Sequence, residues 1–83
     1  MATATEYNGW ANRQTWNVAL WLGNDEGLYR EANRYVAKFG QSITAMGARA
    51  FVRRVMGERT PDGVGLSRVR WSQIAEMLRE MEA

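Results

Sequence analysis

The chain is 83 residues long and contains neither cysteine nor histidine. Their absence excludes disulfide bonds and thiolate metal sites, and it removes the commonest general base and metal ligand in proteins. The 11 basic residues exceed the 9 acidic residues by only two charges, which alone does not indicate a polyanionic partner. We expect a single domain over residues 1–83 that is not an enzyme and has no catalytic residues, metal site or cofactor.

Residues 1–8 are small and polar, and we predict that they form a flexible tail. They have neither the basic start nor the apolar core of a signal peptide. No apolar run in the chain approaches the roughly 20 residues that span a membrane. We therefore expect a soluble, cytoplasmic protein that makes no contact with a membrane.

The first predicted helix runs from about Arg13 to Leu22. Asn12 is a favoured N-cap residue, and Gly23 suits the left-handed conformation that commonly follows a helix end. The residues predicted to point inward share one helical face and are Trp16, Ala19 and Leu20. Because further apolar residues flank this face, we expect the helix to pack on several sides.

The second predicted helix is capped by Asn24 and runs to Phe39, before Gly40. Asp25 and Glu26 would then lie in its first turn, where the helix macrodipole favours negative charge. Apolar residues with helical spacing form a stripe along one side of this helix. Its members are Leu28, Tyr29, Ala32, Tyr35, Val36 and Phe39.

The remaining pattern predicts two more helices separated by a glycine-rich loop. The third helix is capped by Ser42 or Thr44 and ends near Met56. The loop covers residues 57–66 and contains a turn at Pro61-Asp62, with a short hairpin as an alternative. The fourth helix begins near Trp71. We therefore predict an all-α fold: a compact single domain of about four helices, with the glycine-rich loop before the last one.

Arginine is concentrated between residues 49 and 70. This segment contains six arginines and only two acidic residues, Glu58 and Asp62. The six are Arg49, Arg53, Arg54, Arg59, Arg68 and Arg70. If the loop folds back beside the third helix, they form one cationic face that can bind phosphates or an acidic protein groove. The alternative is an ordinary solvated surface, on which nearby glutamates and aspartates pair with the arginines.

The four tryptophans are predicted to divide into two pairs. Trp16 and Trp71 lie on apolar helical faces, which favours a place in the core. Trp10 and Trp21 are the candidates for exposure. Of these, Trp21 is the better candidate for an interface anchor.

Two blocks of the sequence resemble a known family. The first reads Gly9-Trp10-Ala11-Asn12-Arg13-Gln14-Thr15-Trp16-Asn17-Val18-Ala19-Leu20-Trp21 and is followed by Asn24-Asp25-Glu26-Gly27-Leu28-Tyr29; the second reads Val69-Arg70-Trp71-Ser72-Gln73-Ile74-Ala75-Glu76. Both are similar to small proteins encoded by bacteriophages and other mobile elements, which open with a Gly-Trp-x-Asn-x-Glu-Thr-Trp-Asn pattern. This chain differs at Gln14, where Glu is usual, and at Arg70, where a capping Asp is usual.

The resemblance implies a phage or prophage origin, and it carries over no enzymatic activity. Small helical phage proteins often act by binding a host defence complex and blocking it. The resemblance therefore implies a counter-defence protein of the anti-CRISPR type in the host bacterial cytoplasm, with a CRISPR effector as partner. Its binding residues would be the six arginines and Trp21.

A second hypothesis is a small nucleic-acid-binding accessory protein that uses the same six arginines. Binding to phosphates would then weaken steeply with salt. The positive charge argues against mimicry of DNA, which needs an acidic face. Monomer and homodimer are both open, because a small helical domain can bury an apolar stripe by dimerising.

Overall fold

Local signals set the ends of four α-helices in the computed structural model, which describes residues 9–81. The helices are α1 (Arg13–Asn24), α2 (Glu26–Phe39), α3 (Ala45–Met56) and α4 (Trp71–Met81). A 3₁₀ turn, Gly40–Ser42, connects α2 to α3. The predicted all-α fold in one compact domain is confirmed for this part of the chain. The predicted tail at residues 1–8 lies outside the described residues.

The joint between α1 and α2 differs from the prediction. α1 continues through Gly23 to Asn24, so Gly23 is helical and Asn24 is not a cap. Asp25 is the shared capping residue. Its carboxylate accepts a hydrogen bond from the amide of Leu28 at 2.9 Å, and its own amide donates to the carbonyl of Trp21 at 3.0 Å. An ionised carboxylate is a stronger acceptor than a neutral amide and interacts favourably with the helix macrodipole.

The ends of the other helices follow the predicted signals closely. Thr44 caps α3, and its hydroxyl accepts a hydrogen bond from the amide of Gly47 at 3.0 Å. Gly40 and Gly57 follow α2 and α3 with φ angles of +49° and +81°. Glycine adopts positive φ without the steric cost that a Cβ atom brings.

The core lies where α4 meets the other three helices. α4 contributes Ile74, Ala75 and Leu78, each almost fully buried. The other helices and the loop contribute the apolar residues Val18, Ala19, Leu22, Ala32, Val36, Ile43, Ala48, Phe51, Val52, Leu66 and Val69. Removing these side chains from water is the main favourable contribution to folding. Among the described residues, no helix has the length and apolar character needed to cross a bilayer.

The inward face of α1 is rotated from the predicted one. Thr15, Val18 and Leu22 are fully buried, whereas Trp16 and Leu20 are only half-buried. The rotation occurs because hydrogen bonds hold the polar side of α1 against the loop before α4. Of the predicted division of the tryptophans, the core contact of Trp71 is confirmed and the exposure of Trp10 is wrong. All four are half-buried, and two of them, Trp10 and Trp71, pack against the core.

Two hydrogen bonds fasten the beginning of α3 to the end of α4. The guanidinium of Arg79 donates to the carbonyl of Ile43 at 2.6 Å, and the side-chain amide of Gln41 donates to the carbonyl of Arg79 at 3.2 Å. A charged donor makes the first of these the stronger bond. Arg79 is therefore part of the scaffold.

Gly47 allows α2 and α3 to approach closely. A Cβ atom at this position would lie 2.7 Å from the hydroxyl oxygen of Tyr35, closer than van der Waals contact allows. The Tyr35 ring stacks on Phe51, with 4.5 Å between ring centroids. Glycine inside a helix costs about 0.5–1 kcal/mol relative to alanine, so its place in α3 is explained by this contact.

Replacing Gly47 by alanine should therefore lower the free energy of unfolding, although alanine is the better helix former. Gly23→Ala is the matched control, because Gly23 is also helical and an added Cβ would meet nothing within 4 Å. We expect Gly23→Ala to stabilise the protein by about 0.5 kcal/mol. Urea unfolding followed by circular dichroism measures both. Equal stabilisation by the two substitutions would contradict the proposed contact.

Candidate functional site

Residues 57–70 connect α3 to α4, and their first half forms a tight turn. The amide of Thr60 donates to the carbonyl of Val64 at 2.8 Å, and the Thr60 hydroxyl accepts from the amide of Val64 at 3.1 Å. Arg59 and Gly65 form an isolated antiparallel bridge. The hairpin alternative is therefore present only as this one bridge within the described residues.

The tip of the turn is fastened to α1 through Asp62. Its carboxylate accepts hydrogen bonds from the side-chain amide of Asn17 at 3.1 Å and from the indole N–H of Trp21 at 3.0 Å. The bond from Asn17, followed by the one from Trp21, lowers the pKa of Asp62, and the positive charge of Arg13 adds to this effect. The indole edge of Trp21, the predicted anchor, is thus engaged inside the molecule.

Asn17 is 2% exposed, and only one end of its amide group is satisfied. The nitrogen bonds Asp62, while the oxygen is buried without a hydrogen-bond partner in the part of the chain that the structure describes. An unsatisfied buried acceptor costs about 1–3 kcal/mol. The charge-assisted bond to a carboxylate, which only the nitrogen can make, explains the orientation.

The second half of the loop is fastened to the first turn of α1. The Thr15 hydroxyl accepts from the amide of Arg70 at 2.8 Å and donates to the side-chain oxygen of Asn12 at 2.6 Å. The side-chain amide of Asn12 donates a hydrogen bond to the carbonyl of Arg68 at 2.8 Å. The side chain of Gln73 accepts from the amide of Ala11 at 2.8 Å. The first turns of α1 and α4 are thereby held together.

These bonds join the two sequence blocks described above. Two of the bonds run from block to block, between Thr15 and Arg70 and between Ala11 and Gln73, while Asn12 and Asn17 of the first block bond to the loop that precedes the second. Sequence reasoning treated Asn12 and Thr15 only as local capping residues. The signal that it missed was the presence of small polar residues inside the most apolar helix, where a buried hydroxyl or amide needs a distant partner.

The structure divides the six predicted arginines among three places, all exposed. Arg49 and Arg53 border a shallow depression on α3 together with Met46, and Arg53 also borders a second depression together with Arg59. We call Arg49, Arg53 and Arg59 the α3 strip. The Arg59 guanidinium donates to a turn carbonyl at 3.1 Å, which holds it along the loop.

The other three arginines lie elsewhere. Arg54 borders a groove between α2 and α3, while Arg68 and Arg70 lie where the loop docks on α1. Neither Arg68 nor Arg70 borders the two depressions of the α3 strip. Among the depressions of the described residues named here, none is therefore lined by all six arginines.

The groove between α2 and α3 has a volume of about 560 Å³. Its lining combines cations and aromatic rings with one acid: Glu31, Arg34, Tyr35, Lys38, Phe39 and Arg54. We call it the α2–α3 groove. Sequence reasoning missed this groove because the positive and negative charges of residues 1–48 add up to zero. The available signal was the spacing of Arg34 and Lys38, which places them one turn apart on α2.

The acid and the aromatic rings of this groove are held by neighbours. Glu31 pairs with Arg34 at 3.3 Å. Phe39 is 44% exposed and contacts Tyr35, with 4.8 Å between ring centroids. Burial raises the pKa of Tyr35, and the nearby charge of Arg54 partly opposes this shift, so the hydroxyl remains protonated at neutral pH. The groove can therefore offer positive charge, an exposed ring and a hydroxyl donor.

Comparison with known proteins gives a match to a family model. The model describes a family of unknown function, DUF7249, and matches residues 3–83. No curated protein and no solved structure matches the chain.

The Asp62 anchor predicts how stability depends on pH. Its pKa is lower in the folded than in the unfolded chain. The stabilisation is therefore complete above the unfolded value near pH ~4, and it is lost as the pH falls through the lower folded value. Asp62→Asn should lower the free energy of unfolding at neutral pH, and this difference should disappear in acid. Urea unfolding across this pH range measures it.

Trp21→Phe tests whether the hydrogen bond from the indole N–H to Asp62 stabilises the fold. The substitution should cost less stability in the Asp62→Asn background than in the natural protein, because the charged acceptor is already gone. Equal costs in both backgrounds would show that this bond does not stabilise the fold. A deficit of Asp62→Asn that persists at low pH would contradict the role of the carboxylate.

Proposed function

We propose, from the premise that the chain belongs to the DUF7249 family, that it is a non-enzymatic phage or prophage counter-defence protein. It acts in the host bacterial cytoplasm as an anti-CRISPR-type inhibitor. It binds a CRISPR effector and occludes the surface that handles nucleic acid. The family-like sequence blocks support the origin, and the α3 strip supports the mode of binding.

The α3 strip is the observation that carries this proposal. Arg49, Arg53 and Arg59 are exposed, and the first two share a depression with Met46, whose exposed fraction is 71%. Arginine and methionine are enriched in protein interfaces. Within residues 9–81, the acid that pairs with the strip is Glu58, 3.8 Å from Arg53, and both side chains are well exposed. Such a pair is worth little in water, so the strip can exchange it for a partner carboxylate.

The chemistry of the strip defines the surface that it fits. A basic strip is repelled by the basic channel that holds nucleic acid, but it attracts clusters of carboxylates. Nucleases hold such clusters to bind Mg²⁺ next to the nucleic-acid path. Arginine binds carboxylates with two parallel hydrogen bonds. Occlusion by the α3 strip therefore acts at the acidic, metal-binding part of the effector surface.

The strip is preorganised by the fold. Two of its arginines lie on α3, which is packed on α4. The third, Arg59, lies in the turn that Trp21 and Asn17 hold through Asp62. Trp21 therefore acts in this proposal by positioning the loop. Rigid presentation reduces the ordering cost of binding.

The alternative of a nucleic-acid accessory protein that uses all six arginines together has less support. That hypothesis needs one continuous cationic face. The α3 strip, the α2–α3 groove and the docked loop each carry only some of the six arginines, which gives this alternative less support than the strip gives the inhibitor.

The test is binding and inhibition with purified CRISPR effector complexes, together with plaque assays on immune host cells. The variant Arg49→Gln/Arg53→Gln/Arg59→Gln should lose affinity by roughly 100-fold or more, since interface arginines often contribute about 2 kcal/mol or more each. It should also lose protection of the phage. The matched control is Arg34→Gln/Lys38→Gln/Arg54→Gln, which removes the same charge from the α2–α3 groove and should retain both.

Three results would overturn the proposal. One is the absence of any defence component in affinity capture together with no protection in the plaque assay. Another is an equal loss of affinity in the two triple variants, which would indicate attraction by net charge alone. The third is full inhibition by the strip variant.

A further inference from the structure

The α2–α3 groove lies on a different side of α3 from the strip, and the proposed inhibitor function does not use it. Arg53 belongs to the strip and the next residue, Arg54, belongs to the groove. Successive residues of a helix project about 100° apart, as follows from 3.6 residues per turn. One helix therefore supports two surfaces. We propose that the α2–α3 groove binds single-stranded nucleic acid, with its cations on phosphates and a base stacked on Phe39.

The charges in the groove favour a polyanion. Three cations come from two helices: Arg34 and Lys38 from α2, and Arg54 from α3. Glu31 is the one acid that the described part of the chain contributes to the lining, and it already pairs with Arg34. The groove is therefore net positive, although the protein as a whole carries a charge of only +2. A concave wall of like charge concentrates counter-ions of the opposite sign.

The aromatic residues form a platform for a base. Phe51 is buried and stacks on Tyr35 at 4.5 Å, and Tyr35 contacts Phe39 at 4.8 Å, measured between ring centroids. Phe51 and Tyr35 are stacked, whereas the planes of Tyr35 and Phe39 are tilted by 47°. The contacts between the three rings end at the exposed Phe39, so the outer ring is supported from within. Stacking on such a ring holds a base without sequence preference.

Two of the cations lie over rings of this platform, so a base that stacks on Phe39 takes the place of the Lys38 ammonium, which then turns to a phosphate. The Lys38 ammonium is 5.7 Å from the centre of the Phe39 ring, and the Arg54 guanidinium is 5.6 Å from the centre of the Phe51 ring. A nucleotide carries a phosphate next to a flat base, so it matches both features together. An acidic peptide would satisfy the cations and leave the exposed ring without a partner.

The shape of the groove favours a single strand. Concave sites for small ligands typically have volumes of about 300–1,000 Å³, and the α2–α3 groove falls within this range. It can therefore receive one or two nucleotides whose bases are unpaired. Reading a duplex would require a convex element, such as an exposed helix, that enters the major groove. A cleft between two helices does not enter it.

The experiment uses fluorescence anisotropy with labelled oligothymidylate and oligouridylate of about 12 nucleotides. Binding is measured between about 50 and 200 mM salt. We expect Arg34→Gln/Lys38→Gln/Arg54→Gln to lose at least tenfold in affinity. Each phosphate contact contributes about −0.7 to the slope of log affinity against log salt for single strands. The slope of this variant should therefore be shallower by about 2.

The controls distinguish base stacking on Phe39 and binding in the α2–α3 groove from attraction by the net charge of the protein. Phe39→Ala should weaken binding without changing the salt slope. Phe39→Trp should bind at least as tightly as the natural protein, because a larger ring stacks at least as well. The strip variant Arg49→Gln/Arg53→Gln/Arg59→Gln removes the same charge and should keep its affinity. Circular dichroism of each variant establishes that the helices are intact.

Several results would overturn the inference. These are no binding by the natural protein at the lowest salt, an equal loss in both triple variants, and no effect of Phe39→Ala. Displacement of the oligonucleotide by a poly-glutamate peptide at equal charge concentration would instead identify an acidic-peptide site. The effector assay described above depends on the α3 strip, so its result is independent of these outcomes.

Discussion

The hydrogen bonds between α1 and the loop before α4 are the constraint on which the rest of the structure depends. Residues 57–70 contain only turns and one isolated bridge of their own, yet α4 must reach the centre of the domain and contact the other three helices. Asn12, Thr15, Asn17 and Trp21 hold the loop from its tip to its end. A domain of 83 residues has a small apolar core. It therefore depends on such bonds to select one path for the chain.

The same bonds connect the scaffold to its surface. The docked loop carries Arg59 and brings α4 into place, and α4 in turn holds the start of α3 through Arg79. α3 then presents arginines on two sides. Because Arg53 and Arg54 are consecutive, they project from the helix in different directions and enter different surroundings. Proximity in sequence therefore does not place two cations in one site.

Much of the fold could be predicted because its signals are local. The apolar periodicity of α2 predicted the side that faces the core, where Ala32 and Val36 are buried, although Tyr29 and Phe39 of the same stripe are exposed. Thr44, Gly40 and Gly57 marked helix ends through their own backbone and side-chain chemistry. The prediction was wrong at the joint of α1 and α2, where three good capping residues follow one another. Propensity alone does not choose among Asn24, Asp25 and Gly23, but a carboxylate that can reach the amide of Leu28 does.

The sequence by itself determined the number of helices, the apolar face of α2 and the position of the glycine-rich loop. These depend on helical periodicity and on capping within a few residues. Tertiary structure alone decided which face of α1 turns inward, since buried Thr15 and Asn17 find their partners 55 and 45 residues away. It also decided which cations lie together. The positions of the arginine side chains depend on how the helices cross and on the path of the loop. The local pattern of residues does not determine either of these.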